Sequence, residues 1–152
     1  MNIIFNPNPI ITTAAEKKSF TRFFPSIARY LLGLPLLVFG LNGFLNFIPQ
    51  PEVAMPGGAM AFATALENSG YMMHLIGLTH LVVGLMLVSN RFVPLALALF
   101  APFIVNSIAF HFYLERSGLM MSGVFLFFEL YLAWKYRHAF APMLAAPVKP
   151  AE

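Results

Sequence analysis

Four long apolar runs separated by short polar breaks dominate the pattern of the chain. They are Tyr30 to Ile48, Tyr71 to Val88, Phe92 to Leu114 and Leu119 to Tyr136. Each is close to the about 20 residues that a helix needs to cross the hydrocarbon of a bilayer. Their apolar residues are continuous rather than alternating at a period of two, which predicts helices and not the strands of a barrel. None carries the charged outer stripe of a soluble bundle helix. The pattern therefore predicts an all-α, polytopic membrane protein, a four-transmembrane-helix bundle. The matching division is a cytoplasmic N-terminal segment over residues 1–24, a membrane domain over 25–140 and a cytoplasmic tail over 141–152.

The external loop, residues 49–70, has a pattern of its own. Pro49, Pro51, Pro56, Gly57 and Gly58 stop the first helix. Ala59, Phe62, Ala63 and Leu66 then fall at i, i+3, i+4 and i+7, ahead of Gly70. That spacing predicts a short amphipathic helix resting apolar side down, either a cap on the bundle or a lid over an outward-facing pocket. The N-terminal stretch MNIIFNPNPIITTAAEKKSF places its lysines after its apolar residues and is interrupted by Pro7 and Pro9, so it does not read as a signal peptide. Lys17 to Phe24 reads as a short segment along the inner membrane surface. The tail APMLAAPVKPAE reads as a disordered end.

Composition narrows the function classes. The chain has 152 residues, of which 59% are hydrophobic and 10% charged, with a mean hydropathy of +0.76. Soluble domains carry about 25% charged residues, so a separate soluble catalytic domain does not fit. The absence of cysteine excludes disulfides, thiolate metal ligands and a Cys relay. The net charge of +3 is not a nucleic-acid footprint, because the basic residues cluster at the ends of the apolar runs. Lys17, Lys18, Arg22, Arg29, Arg91, Lys135, Arg137 and Lys149 share one side, and Arg116 alone is on the other. The positive-inside rule then places both termini in the cytoplasm, with membrane lipid headgroups as the partners of these charges.

Ionisable and amide side chains inside the runs need an account, since a buried charge costs about 2.5–3.5 kcal/mol on insertion scales. With a rise of 1.5 Å per residue, Asn42 lies roughly 9 Å, Asn106 roughly 12 Å, His80 roughly 14 Å and Glu129 roughly 15 Å from the outer end of its run. Asn46 is one turn beyond Asn42, and His111 is nearer the outer surface. Gly77, His80 and Gly84 share one helix face; Ser122, Phe125 and Glu129 share another. Four helices thus each offer a polar group to one layer. Two readings are open. The layer is interhelical hydrogen-bond glue, or it lines a pocket for a small ligand such as a quinone headgroup. In the second case Glu129 and His80 handle protons while Asn42, Asn46, Asn106 and His111 contact the ligand. A third reading, a metal or haem site using His80 and His111, has only a weak signal, because the two are on different helices at depths roughly 10 Å apart and no HxxxH or ExxH pair occurs. A phosphate loop and a nucleophile elbow are also missing from the sequence.

The segments LLGLPLLVFGLNGFLNFIP, HLVVGLMLVSNRFVPLALALFAPFIVNSIAFH and FFELYLAWKYRHAF resemble the DoxX family of small four-helix bacterial membrane proteins. The likeness covers roughly residues 28 to 140. It implies a multi-pass protein of the bacterial inner membrane, and family members include a subunit of a thiosulfate:quinone oxidoreductase. Glu129 agrees with the acidic residue usual in the fourth helix, whereas many members carry a Glu where this chain has His80. The resemblance implies a quinone-binding subunit or accessory of a membrane oxidoreductase, with no intrinsic cofactor and with a membrane or periplasmic redox protein as partner. The alternative is a non-enzymatic assembly or stability factor, making contacts through its glycine faces and external loop; those faces also allow a homodimer.

Overall fold

The computed structural model describes residues 9–49, 55–144 and 146, with residues 9–22 described by their backbone alone. Among the described residues there are helices and turns and no strand. The order is α1 (Pro9–Leu45), α2 (Gly57–Asn68), α3 (Met72–Val88), α4 (Val93–Tyr113), α5 (Leu119–Lys135), the single turn α6 (Arg137–Phe140) and a 3₁₀ turn (Ala141–Leu144). Lys17 to Phe24 belongs to the backbone of α1; how most of its side chains lie is outside the described residues. Most of the tail read as disordered is outside them too.

Helix α1 differs from the apolar run that announced it. It is 37 residues long and passes through Pro25 and Pro35 without a break, as membrane helices can where neighbours satisfy the freed backbone groups. Its apolar part, Phe23–Leu45, starts well before Tyr30. The reason is Arg29. Read as a flanking cytoplasmic charge, it is instead buried, its guanidinium donating to the Leu87 carbonyl at 3.2 Å. That carbonyl belongs to the last turn of α3, where a cation also complements the helix dipole. The charge is accommodated inside the protein, so the apolar helix can continue past it.

The far end of α1 is set by Asn46, which takes φ 48° and ends the helix before Ile48. Asn90 ends α3 in the same left-handed conformation, with Arg91 N–H bonded to Met86 O and Asn90 N–H to Leu87 O. This Schellman closure turns the chain directly into α4. Between α2 and α3 the axis bends by 86°, so α2 lies across the end of the bundle.

Helices α1, α3, α4 and α5 form a closed ring in that order: α1 packs on α3 and α5, and α4 packs on the same two. Helices α3 and α5 are therefore diagonal partners. Leu32, Leu36, Val83, Leu87, Leu97, Phe100, Ile104 and Leu132 fill the interior. The outer surface is also apolar, with Leu31, Leu34, Val105, Met120, Phe127 and Leu130 exposed. An apolar exterior of that extent belongs in a membrane rather than in water. Phe23–Leu45 (23 residues) and α4 (21 residues) are each long and apolar enough to cross one. Helices α2 and α3 pass the same test only as a bent pair.

The closest contact is between α1 and α3, and it is made by glycines. A Cβ at Gly40 would lie 2.7 Å from the Leu81 nitrogen and 2.9 Å from the Gly77 oxygen. A Cβ at Gly84 would lie 2.9 Å from the Gly33 oxygen. Gly33 faces Gly84 and Gly40 faces Gly77 in antiparallel register, backbone against backbone. In lipid, where the hydrophobic effect does not drive helices together, such packing is the main source of association. The glycine faces offered to a partner or a second copy are thus occupied within the chain.

Gly40→Ala is expected to destabilise the protein by about 1–3 kcal/mol, since backbone must move to admit the methyl. Gly123→Ala, with open space around it, is expected to leave stability unchanged or raise it. Thermal unfolding of both variants in the same detergent checks the contrast.

Candidate binding cavity

Where α2 folds over the end of the ring, it leaves a cavity of about 650 Å³. The last turns of α1 supply Asn42 and Asn46, and α4 supplies Phe103, Asn106, Ser107 and Phe110. Helix α2 closes one side with Phe62, Thr64, Leu66 and Glu67, and the start of α3 adds Met73, His74 and Ile76. The α2 wall is held by Ala59, which is fully buried, and by the Phe62 ring against Phe110 at 5.5 Å. The lining mixes aromatic, thioether and aliphatic groups with amides, a hydroxyl, a carboxylate and an imidazole. Such a cavity suits a small amphipathic molecule, and its volume falls within the range of about 300–1,000 Å³ typical of small-molecule sites.

Three of the six residues singled out from the sequence meet here: Asn42, Asn46 and Asn106. Two of them also hold the backbone. Asn42 Oδ1 accepts the Ile48 N–H at 2.7 Å and so closes the end of α1, leaving its NH₂ group for the cavity. Asn46 is the left-handed residue at that end. Asn106 is exposed and lines the cavity from α4.

His80 and Glu129 do not line the cavity. They lie inside the ring on the diagonal helices α3 and α5, only 7% and 5% exposed. Nε2 of His80 and Oε2 of Glu129 have no hydrogen-bond partner among the described residues. Glue at these two atoms is therefore not made. A side-chain link that is made joins Ser107 and Ser122, whose hydroxyls are 2.9 Å apart between α4 and α5. His80 is instead packed in aromatic rings, with Phe103 edge-to-face at 4.2 Å and Phe100 at 6.2 Å. Phe103 also belongs to the cavity lining, so one phenyl ring touches both compartments.

His111 stands apart from both groups. Its Nδ1 is 2.9 Å from the Glu115 carbonyl oxygen and 3.3 Å from the Glu115 carboxylate, within the turn from α4 to α5. The same carboxylate accepts the N–H groups of Ser117 at 2.8 Å and Gly118 at 3.4 Å. The Ser117 N–H above all, with Gly118 assisting, holds the Glu115 carboxyl below the usual carboxylate range. His111 is thus committed to a turn rather than to the cavity.

The polar lining that the sequence pattern did not single out comes from Thr64, Glu67, His74 and Ser107. His74 is turned about 120° from His80 around α3, which separated it from the polar layer. It joins the asparagines because α2 folds over and builds a second wall. The ring contact of His74 with Phe44, at 5.6 Å, places it against α1.

Comparison with family models, with curated proteins and with solved structures gives no match.

Two outcomes are expected. Asn46→Gly should leave the melting temperature unchanged, whereas Asn46→Val should cost about 1–2 kcal/mol, because only glycine adopts φ 48° without strain among these substitutes. The second concerns pH. A carboxyl held below its ordinary range stabilises the fold above its unfolded pKa and loses that contribution as pH falls through the lower folded value. The melting temperature should therefore drop as pH falls below the ordinary glutamate pKa of about 4.3, and Glu115→Gln should flatten that part of the profile. Melting curves in detergent across that range measure both.

Proposed function

We propose that this chain is a DoxX-like protein of the bacterial inner membrane that crosses it four times, with both termini in the cytoplasm. Its cavity binds a small lipophilic molecule with a polar head, of the quinone class, as a subunit or accessory of a membrane oxidoreductase. Four crossings would count α3 and α5 as spans. At 17 residues each, they fall at the short end of the workable range of about 17–25 residues.

One observation carries the proposal: an amphipathic cavity at one end of the ring adjoins a buried imidazole whose Nε2 has no partner among the described residues. The residues present fit such a ligand. Amide groups of Asn42, Asn46 and Asn106 can donate to carbonyl oxygens, while Phe62, Phe110, Met73 and Ile76 present apolar surface to a ring and tail. A bound quinone supplies reversible electron and proton chemistry. Nε2 of His80 and Oε2 of Glu129 are the atoms of this chain that would take up or release those protons. A chain without cysteine has no Cys relay for electrons, so their onward transfer falls to a partner redox protein. An assembly factor acting through glycine faces draws less support from the geometry, because Gly33, Gly40, Gly77 and Gly84 are used between α1 and α3.

Purification in mild detergent, lipid extraction and mass spectrometry test the proposal. A quinone recovered in near-stoichiometric amount is expected. Asn106→Leu should lower its occupancy about fivefold, the loss of one hydrogen bond of about 1 kcal/mol, with the melting temperature unchanged. Recovery no greater than that from an unrelated membrane protein of similar size would refute it.

A further inference from the structure

We infer that Phe103 is the specificity-determining residue of the cavity: its ring is the partition between the cavity and His80, and it decides what reaches the imidazole. The inference rests on the cavity being a binding site and adds how the site extends inward.

Two observations on one side chain carry it. Phe103 lines the cavity that opens beneath α2. Its ring also stands edge-to-face against His80, 4.2 Å between centroids. On the far side of that ring His80 is 7% exposed, and its Nε2 has no partner among the described residues. A buried polar nitrogen without a hydrogen bond calls for an account, since nearly all such groups in folded proteins are paired. A ligand group able to hydrogen-bond Nε2 would provide the missing partner, and the route from the cavity passes the place that Phe103 holds.

The packing around Phe103 allows such a movement. Its ring stacks on Phe100 at 5.5 Å, with the planes 27° apart. Phe100 is fully buried and fixed in the core, whereas Phe103 is only partly buried. On one side its neighbour is the fully buried Phe100, and on the other is the cavity. Rotation of Phe103 toward the cavity would exchange one aromatic contact for another: a planar ligand ring against His80 in place of the phenyl. The ligand class that this geometry selects is flat, aromatic or quinonoid in shape, and bears a hydrogen-bonding edge. Bulky or charged heads would be confined to the outer compartment with Asn42, Asn46 and Asn106.

The absence of cysteine makes the test direct. A single thiol is placed by His80→Cys, and its labelling by a small, water-soluble methanethiosulfonate is timed in the purified full chain. The variant's melting temperature and size-exclusion profile are recorded alongside. Slow labelling is expected for His80→Cys alone, and labelling at least about tenfold faster when Phe103→Ala is added, because thiol modification follows access. Asn106→Cys, in the outer compartment, should react rapidly with or without Phe103→Ala. Phe103→Trp should keep His80→Cys slow, which separates a gap in the partition from general loosening. Equal rates for His80→Cys with Phe or Ala at position 103, beside rapid labelling of Asn106→Cys, would overturn the inference. So would fast labelling of His80→Cys with Phe103 intact in a folded sample. Failure of the quinone proposal would show differently: a short-chain quinone would not slow the labelling of Thr64→Cys on the α2 wall of the cavity, while the Phe103 effect would stand and support the partition on its own.

Discussion

The approach of α1 to α3 along Gly33, Gly40, Gly77 and Gly84 is the constraint from which the other features follow. Without side chains between them, two antiparallel backbones come within van der Waals distance over about two turns of each helix. That closeness lets Arg29 of α1 reach the Leu87 carbonyl of α3. At the opposite end it sets Asn42 and Asn46 beside Met73 and His74, two walls of the cavity. It also directs the neighbouring face of α3 inward, where His80 meets the rings of Phe100 and Phe103. A side chain larger than hydrogen at Gly40 or Gly84 would push all of these apart together.

Within this frame, polar groups fall into two kinds. One kind is spent on the backbone or on a neighbouring helix: Arg29 at the end of α3, Oδ1 of Asn42 at the end of α1, Ser107 with Ser122, and His111 with Glu115. In surroundings without water an unsatisfied polar group costs several kcal/mol, and these pairings avoid that cost. The other kind is His80 and Glu129, buried with an unpaired atom each. The contrast gives the second pair its interest. Among the described residues these two buried side chains alone keep a polar atom without a partner, on diagonal helices of the same ring.

The sequence pattern was informative wherever the deciding interaction is local. Apolar runs mark α3, α4 and α5 to within a residue or so, because hydropathy and the breaks at Ser89-Asn90-Arg91 and Arg116-Ser117 act on neighbouring positions. The i, i+3, i+4, i+7 pattern from Ala59 likewise corresponds to α2. Legibility failed at α1, where the extent of the apolar part depends on whether Arg29 can be buried, and that is decided by a carbonyl 58 residues away. It failed again for His111, which has the depth of a ligand-binding residue but is taken by a glutamate four positions on.

By itself, then, the amino-acid sequence determined a helical chain with an apolar exterior, the stretches that become helices and the residues whose burial needs a reason. Periodicity and hydropathy depend on neighbours along one helix, so these were readable from order alone. Only the tertiary structure decided that the polar layer divides, with the asparagines in an outer cavity and His80 and Glu129 sealed within the ring. Depth along an axis says how far a side chain is from a helix end, not which compartment it faces. The 86° bend before α3 and the ring of Phe103 settle that, because each depends on contacts between helices that no single helix encodes.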